Sequence, residues 1–260
     1  MSPDKWKTAV THIAPNEIRL RGYPVEELMG RRSYAEVAWL ALKGELPTVE
    51  QGQMLDAILV SSVDHGVTPP SCLAAITAAS TGAPVNAALA AGVLSINRYH
   101  GGAVENCMRT IREAVALRDE KGITADEAAA ELVANYLGRK KRLAGFGHRF
   151  HTRDPRAVRL FELADDTGIG GAYTEMARAL EVQLKKQSGK DLPLNVDGAI
   201  GAVLLELGFE PEIANAFFIM ARLPGLLAHV LEEWERQKPM RRIEPSGWEY
   251  DGPPERHLDD

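Results

Sequence analysis

Apolar side chains in this 260-residue chain recur at three- and four-residue spacing through most of its length, the period of amphipathic helices. Ser33-Tyr34-Ala35-Glu36 is a capping-box pattern ahead of the apolar run 37–42, and Gly44 supplies the stop. Thr48 caps a second helix over 49–61, with Met54, Leu55, Ile58 and Leu59 on one face. The next two predicted helices, 71–81 and 84–96, are rich in small residues: Ala74, Ala75, Ala78 and Ala79, then Ala87, Ala88, Ala90 and Ala91. Small side chains permit close helix approach, so these two are expected to be central. Further helices are predicted over 103–121, over 124–138 behind a Thr124–Glu127 capping pattern, and over 155–165 behind Asp154-Pro155. Helices at 173–187, 199–207 and 212–235 complete the set, the last interrupted near Pro224-Gly225. Residues 1–24, with two prolines before a Gly-Tyr-Pro turn is complete, read as irregular or weakly extended, and 24–29 as a short helical turn. Period-two alternation of useful length, an Asn-Gly hairpin and internal repeats are all missing, so the predicted fold class is all-α.

Composition narrows the picture. A net charge of -6 argues against a general nucleic-acid binder. Cys72 and Cys107 form no CxxC spacing and no framework, as expected of a reduced, cytoplasmic protein. The first residues lack a signal-peptide apolar region, and no apolar run in the sequence reaches transmembrane length, which predicts no membrane partner. The chain contains no GxGxxG, P-loop or HExxH pattern.

Candidate chemistry sits in the connections. Gly145-Phe146-Gly147-His148, followed by Asp154-Pro155-Arg156, sets an imidazole beside bare backbone and a guanidinium on a helix's first turn. That layout suits an anionic substrate and a proton transfer, or else is a glycine-rich turn with a capped helix. Asp64-His65-Gly66 lies between two helices, where both side chains could equally be caps. His100 precedes Gly101-Gly102, either meeting a ligand or sitting in an incidental turn. Asp197 stands at a helix entry, as a cap or as a functional carboxylate. The basic run Arg139-Lys140-Lys141-Arg142 is a solvated face or a phosphate contact. Arg222 and His229, seven residues apart, share a helix face.

Taken together and in this order, Tyr99-His100-Gly101-Gly102-Ala103, Gly145-Phe146-Gly147-His148 with Asp154-Pro155-Arg156, and Asn195-Val196-Asp197 resemble the motifs of the citrate synthase family. Arg21-Gly22-Tyr23, Gly44 to Thr48, Asp64-His65 and Arg222 to His229 add to the likeness, which covers roughly residues 17–252. Asp64-His65-Gly66, with Pro70-Ser71 shortly after, is similar to citryl-CoA lyases and the lyase module of ATP-citrate lyase, whereas synthases usually carry Glu after the histidine. The chain is also shorter than full-length synthases, and its His148-to-Arg156 spacing is one residue tighter. Glu244-Pro245 stands where an Arg-Pro motif is expected, and Arg242 matches that arginine by its distance from Arg222.

The resemblance implies a two-domain helical fold with the active site in the interdomain cleft: a large domain from 1–104 and 208–260, and a small inserted domain from 105–207. It implies a homodimer or higher homo-oligomer, with the tail reaching toward the partner. The implied reaction makes or breaks the carbon–carbon bond between acetyl-CoA and oxaloacetate. Asp197 would exchange the methyl proton, His100 would hold the thioester oxygen, and His148 would serve the ketone or hydroxyl oxygen. Arg156 and Arg222, with Arg242, would clamp the substrate's carboxylates, and His65 would hydrogen-bond the substrate end of the cleft. Coenzyme A would lie along Gly145-Phe146-Gly147 with its phosphates near Arg142 and Lys190. No metal and no resident cofactor is implied, coenzyme A entering as the substrate thioester. Citryl-CoA lyase is the leading reading. A citrate or methylcitrate synthase is the alternative, and a non-catalytic coenzyme A- or citrate-binding homologue the third.

Overall fold

The computed structural model describes residues 6–147 and 152–241. His148 and Arg242, two of the candidate site residues, lie outside the described residues. The one departure from the expected all-helical order comes first. Strands β1 (Thr11–Ala14), β2 (Glu17–Leu20) and β3 (Tyr23–Pro24) form an antiparallel meander where irregular or weakly extended chain is expected. Ile13 pairs with Ile18 across the first hairpin, yet they are 73% and 49% exposed. A sheet with no buried face leaves no alternation in the sequence to read. Arg21 ties it to the body of the molecule by donating through Nε and Nη2 to Ala41 O.

Helices fill the rest: α1 (Val25–Leu28), α2 (Tyr34–Lys43), α3 (Val49–Ser61), α4 (Pro70–Ser80), α5 (Val85–Leu94), α6 (Ala103–Lys121), α7 (Ala125–Gly138), α8 (Pro155–Asp166), α9 (Ala172–Ser188), α10 (Val196–Glu206) and α11 (Ala214–Arg236). The expected capping boxes at Ser33 and Thr124 are formed, the expected cap Thr48 completes a further box with Gln51, and Gly44 ends α2 in the left-handed region. Helix α10 is the hub. Nine of its eleven residues are buried, Val196 and the run Gly198 to Leu205, and it packs on α3, α6, α8 and α9. Its last residue, Glu206, caps α9 by accepting from Tyr173 N and Thr174 N at 2.8 and 2.9 Å. One continuous apolar core joins α2, α3 and α6 to α10 and reaches Phe217 of α11. A smaller core joins α4 and α5 to Leu226 and Val230 of α11.

Two expectations about α11 are corrected. It is continuous through Pro224 rather than interrupted there. With the 3-10 turn Pro211–Ile213 it makes a 26-residue helix whose mean hydropathy of 1.4 over its most apolar stretch is enough, by length and composition, to cross a membrane. No run of that length was expected. Of that stretch 44% is buried inside the fold, and Arg222 is embedded in it at 3% exposure, as in the core helix of a globular body. Beyond α11 the chain turns back on itself. Met240 N donates to Ser80 O at 2.7 Å, and Arg241 pairs with the buried Glu233.

Candidate active site

Six sequence-predicted residues, His65, His100, Gly147, Arg156, Asp197 and Arg222, line one open cleft of about 560 Å³. They come from five separate stretches of chain, so the cleft exists only through packing.

His100 is held by a tight turn. Asn97 and His100 exchange backbone hydrogen bonds at 2.8 and 2.9 Å, and Gly102 N adds a third to Asn97 O. Gly101 has a φ of +91° and is wedged where a Cβ would lie 2.7 Å from Asn215 Oδ1 and 3.0 Å from Phe218. A Cβ on Gly102 would meet Arg98 O at 2.6 Å. Both glycines are therefore required by close approach. The imidazole stands edge-on to Phe218, and its Nε2 shares a 2.8 Å hydrogen bond with Ser71 Oγ. Ser71 is fully buried in the first turn of α4. Burial, reinforced by the Arg222 charge, lowers the pKa of His100. The ring is thus neutral near pH 7, with one N–H to give.

Asp197 lies on the first turn of α10, but Asn195 is the cap, not Asp197: Asn195 Oδ1 accepts from Gly198 N at 3.2 Å. The Asp197 carboxylate is thereby left for the cleft. Burial pushes its pKa up to about 6, against the lowering pull of Arg156 and Arg222 and with the Asp154 charge adding to the rise. The crossing segment 145–147 fixes this helix start. Gly147 N donates to Pro193 O, Asn195 N to Gly145 O, and Asn195 Nδ2 to Gly147 O. Gly145 and Gly198 pack backbone to backbone, and a Cβ on Gly198 would lie 2.5 Å from Gly145 O.

The guanidiniums are placed differently. Arg156 donates through Nε and Nη2 to Asp154 at 3.0 and 2.9 Å. Asp154, 1% exposed, also caps α8 and accepts from Val196 N at 3.0 Å. This carboxylate therefore ties the arginine to the helix start that carries Asp197, a tertiary role beyond the expected cap. Arg222 donates through Nε to Ser62 O at 2.9 Å and stacks over Phe218. His65 is exposed at the cleft edge, its pKa lowered by burial and then by Arg156 and Arg222. Two cations and two neutral imidazoles thus face one carboxylate of raised pKa, a setting fit to hold a polyanion and move a proton to or from carbon.

The residues expected to serve coenzyme A are more scattered. Gly147 lines the cleft. Gly145 is buried against Cys107 and Gly198, and Phe146 pairs as a lone β-bridge with Leu194. Arg142 and Lys190 are exposed and do not line the cleft. Ser62, Ser71 and Phe218 were missed as site residues. Only Ser71 had left a trace, in the Pro-Ser step after Asp64-His65-Gly66.

Comparisons with known proteins point to one family. The family model described as citrate synthase, C-terminal domain, matches residues 4–54 and 49–244. The chain is 41% identical to the citryl-CoA lyase from Hydrogenobacter thermophilus, with a TM-score of 0.89 over 98% of this chain and 97% of that one. It is 28% identical to the citrate synthase of Thermoplasma acidophilum, solved as a ternary complex with carboxymethyl coenzyme A and oxaloacetate. There the TM-score is 0.72 over 88% of this chain and 59% of that one. The citrate synthase of Saccharolobus solfataricus is 32% identical over 228 residues, 85% of this chain and 57% of that protein. The chain spans little more than half the length of the curated relatives it matches.

Proposed function

The chain belongs to the citrate synthase family, and from that we propose that it cleaves citryl-CoA to acetyl-CoA and oxaloacetate. The observation that carries this reading is Asp197: a carboxyl of pKa about 6, in a cleft shared with a neutral histidine and two arginines.

A thioester α-carbon is a poor carbanion, so the leaving enolate must be held as it forms. His148 takes the proton from the tertiary hydroxyl of citryl-CoA. The hydroxyl carbon becomes the ketone of oxaloacetate as its bond to the methylene beside the thioester breaks. The bond's electron pair passes into the thioester enolate, and His100 donates to the enolate oxygen. Ser71 Oγ donating to Nε2 would leave the Nδ1 proton of His100 for this task. Asp197, protonated, then delivers its proton to the methylene carbon and completes acetyl-CoA. The raised pKa suits a carboxyl that must carry a proton near neutrality. Arg156, Arg222 and His65 hold the carboxylates, with Arg242 as a further contributor from the tail. Arg142, Lys190 and the 145–147 segment serve coenzyme A, and no resident cofactor takes part.

The identity to the Hydrogenobacter lyase over nearly the full length of both chains favours cleavage. The synthase names of the other relatives favour condensation of an acyl-CoA with a 2-oxo acid as the second reading. The deciding experiment incubates the protein with citryl-CoA, and separately with acetyl-CoA plus oxaloacetate. Oxaloacetate and acetyl-CoA without free thiol from citryl-CoA support the lyase. Thiol release from the second mixture replaces it with a synthase. Neither product leaves only a binding protein.

The working unit in this reading is a homodimer, with residues 105–207 closing as a small domain over the remainder. Leu223, Leu227 and Leu231 form an i, i+4, i+8 stripe on α11 and are 36–45% exposed, a face that a second copy would cover.

A further inference from the structure

Helix α11 grips the loop before α4 at three successive residues. Arg222 donates through Nε to Ser62 O at 2.9 Å. Three residues on, Gly225 offers no Cβ, and a Cβ there would lie 2.2 Å from Val63 O. Four residues further, His229 Nε2 meets Asp64 Oδ1 at 3.1 Å. Positions 222, 225 and 229 share one helix face, so loop residues 62, 63 and 64 are laid along it in order. Asp64 then acts locally: its Oδ2 accepts from Gly66 N at 2.8 Å, closing an Asx turn in which Gly66 has a φ of +79°. The residue inside that turn is His65, at the edge of the cleft.

His229 itself does not line the cleft. Its side chain is 15% exposed, and its Nδ1 lies 3.7 Å from Glu232, beyond hydrogen-bond reach. As an ion pair with the 40%-exposed Asp64 it would add little to stability. Its use is geometric. One carboxylate oxygen is tied to α11 and the other to the turn, so the orientation of the turn follows the helix.

We propose that His229 is a positioning residue that, through Asp64, locks the turn aiming His65 at the substrate. The helix that presents Arg222 to the cleft thereby also fixes the direction of His65, and the two substrate contacts are held in register. This role in substrate binding rests on the lyase reading, but the latch can be read without turnover. The test compares wild type, His229→Ala and His229→Gln by hydrogen–deuterium exchange over residues 62–67 and by steady-state cleavage of citryl-CoA. In His229→Ala the Gly66 amide should exchange about tenfold faster. The KM should rise about tenfold, the loss expected for one hydrogen bond to a charged group, with kcat within about twofold of wild type. Glutamine, whose amide can donate to Asp64 in place of Nε2, should restore both. Unchanged exchange in His229→Ala overturns the latch, as does a fall in kcat at unchanged KM. Should His229→Ala fail to fold, His229→Leu removes the same donor while filling its space and leaves Asp64 as the acceptor of the Gly66 amide, and it is expected to give the same pair of changes; unchanged exchange there also overturns the proposal. A wild type that never cleaves citryl-CoA sinks the lyase reading alone, and the exchange data then still decide the latch.

Discussion

Burial of Asp197 costs the fold stability near neutral pH and, in the lyase reading, keeps a proton available. Its pKa is raised from 3.8 to about 6 by burial first. A carboxyl raised on folding stabilises the native state below its unfolded pKa, and that contribution is lost as pH climbs through about 6. Asp197→Asn should therefore reduce turnover to about 1% or less while leaving the protein up to about 2 kcal/mol more stable at pH 7.5, measured by urea unfolding. Retention of a third of the activity would remove Asp197 from the mechanism. In the cleavage direction the carboxyl must be protonated, so kcat/KM should fall as pH rises above about 6, with that limb absent from the residual activity of Asp197→Asn. The second residue-scale prediction concerns Ser71. Ser71→Ala removes the partner of His100 Nε2 and frees the ring's tautomer. It should lower kcat about tenfold with KM nearly unchanged, whereas a rise in KM alone would show that Ser71 serves binding instead.

The elements explain why these residues meet. Helix α10 is apolar all round and must sit inside the body, which carries its first turn, and Asp197 with it, to the floor of the cleft. Its start is set by two glycines in backbone contact, Gly145 and Gly198. Gly198→Ala would push a methyl group 2.5 Å from Gly145 O and 2.6 Å from Leu194. Backbone cannot yield as a flexible side chain does, so the expected loss is about 1–3 kcal/mol, together with a fall in kcat as Asp197 shifts. Thermal unfolding and single-turnover rates test the two halves, and a fully active, equally stable variant would show that the close approach is not needed. The capping boxes at Ser33 and Thr124, and the cap at Thr48, were readable from a few residues each because capping is local chemistry. The N-terminal meander was not, since its short strands bury no face.

At the scale of the molecule, α11 takes part in both apolar cores, supplies Arg222 and holds the His65 loop, while its opposite face carries the leucine stripe. Leu227→Glu would put a charge in the middle of that stripe. If a second copy covers it, sedimentation should show the wild type as a dimer and the variant as a monomer of 28.4 kDa. Identical sedimentation of the two would move the interface elsewhere.

Helix boundaries, caps and the identities of His65, His100, Arg156, Asp197 and Arg222 were legible along the chain, because propensity, capping and motif spacing act over a few residues. What they do to one another was not. The pairing of Ser71 with His100, the bridge from Arg156 through Asp154 to Val196, and the raised pKa of Asp197 join residues 29 to 42 positions apart or depend on burial from all sides. Only the packed molecule creates those neighbours and the low-dielectric surroundings that make them act.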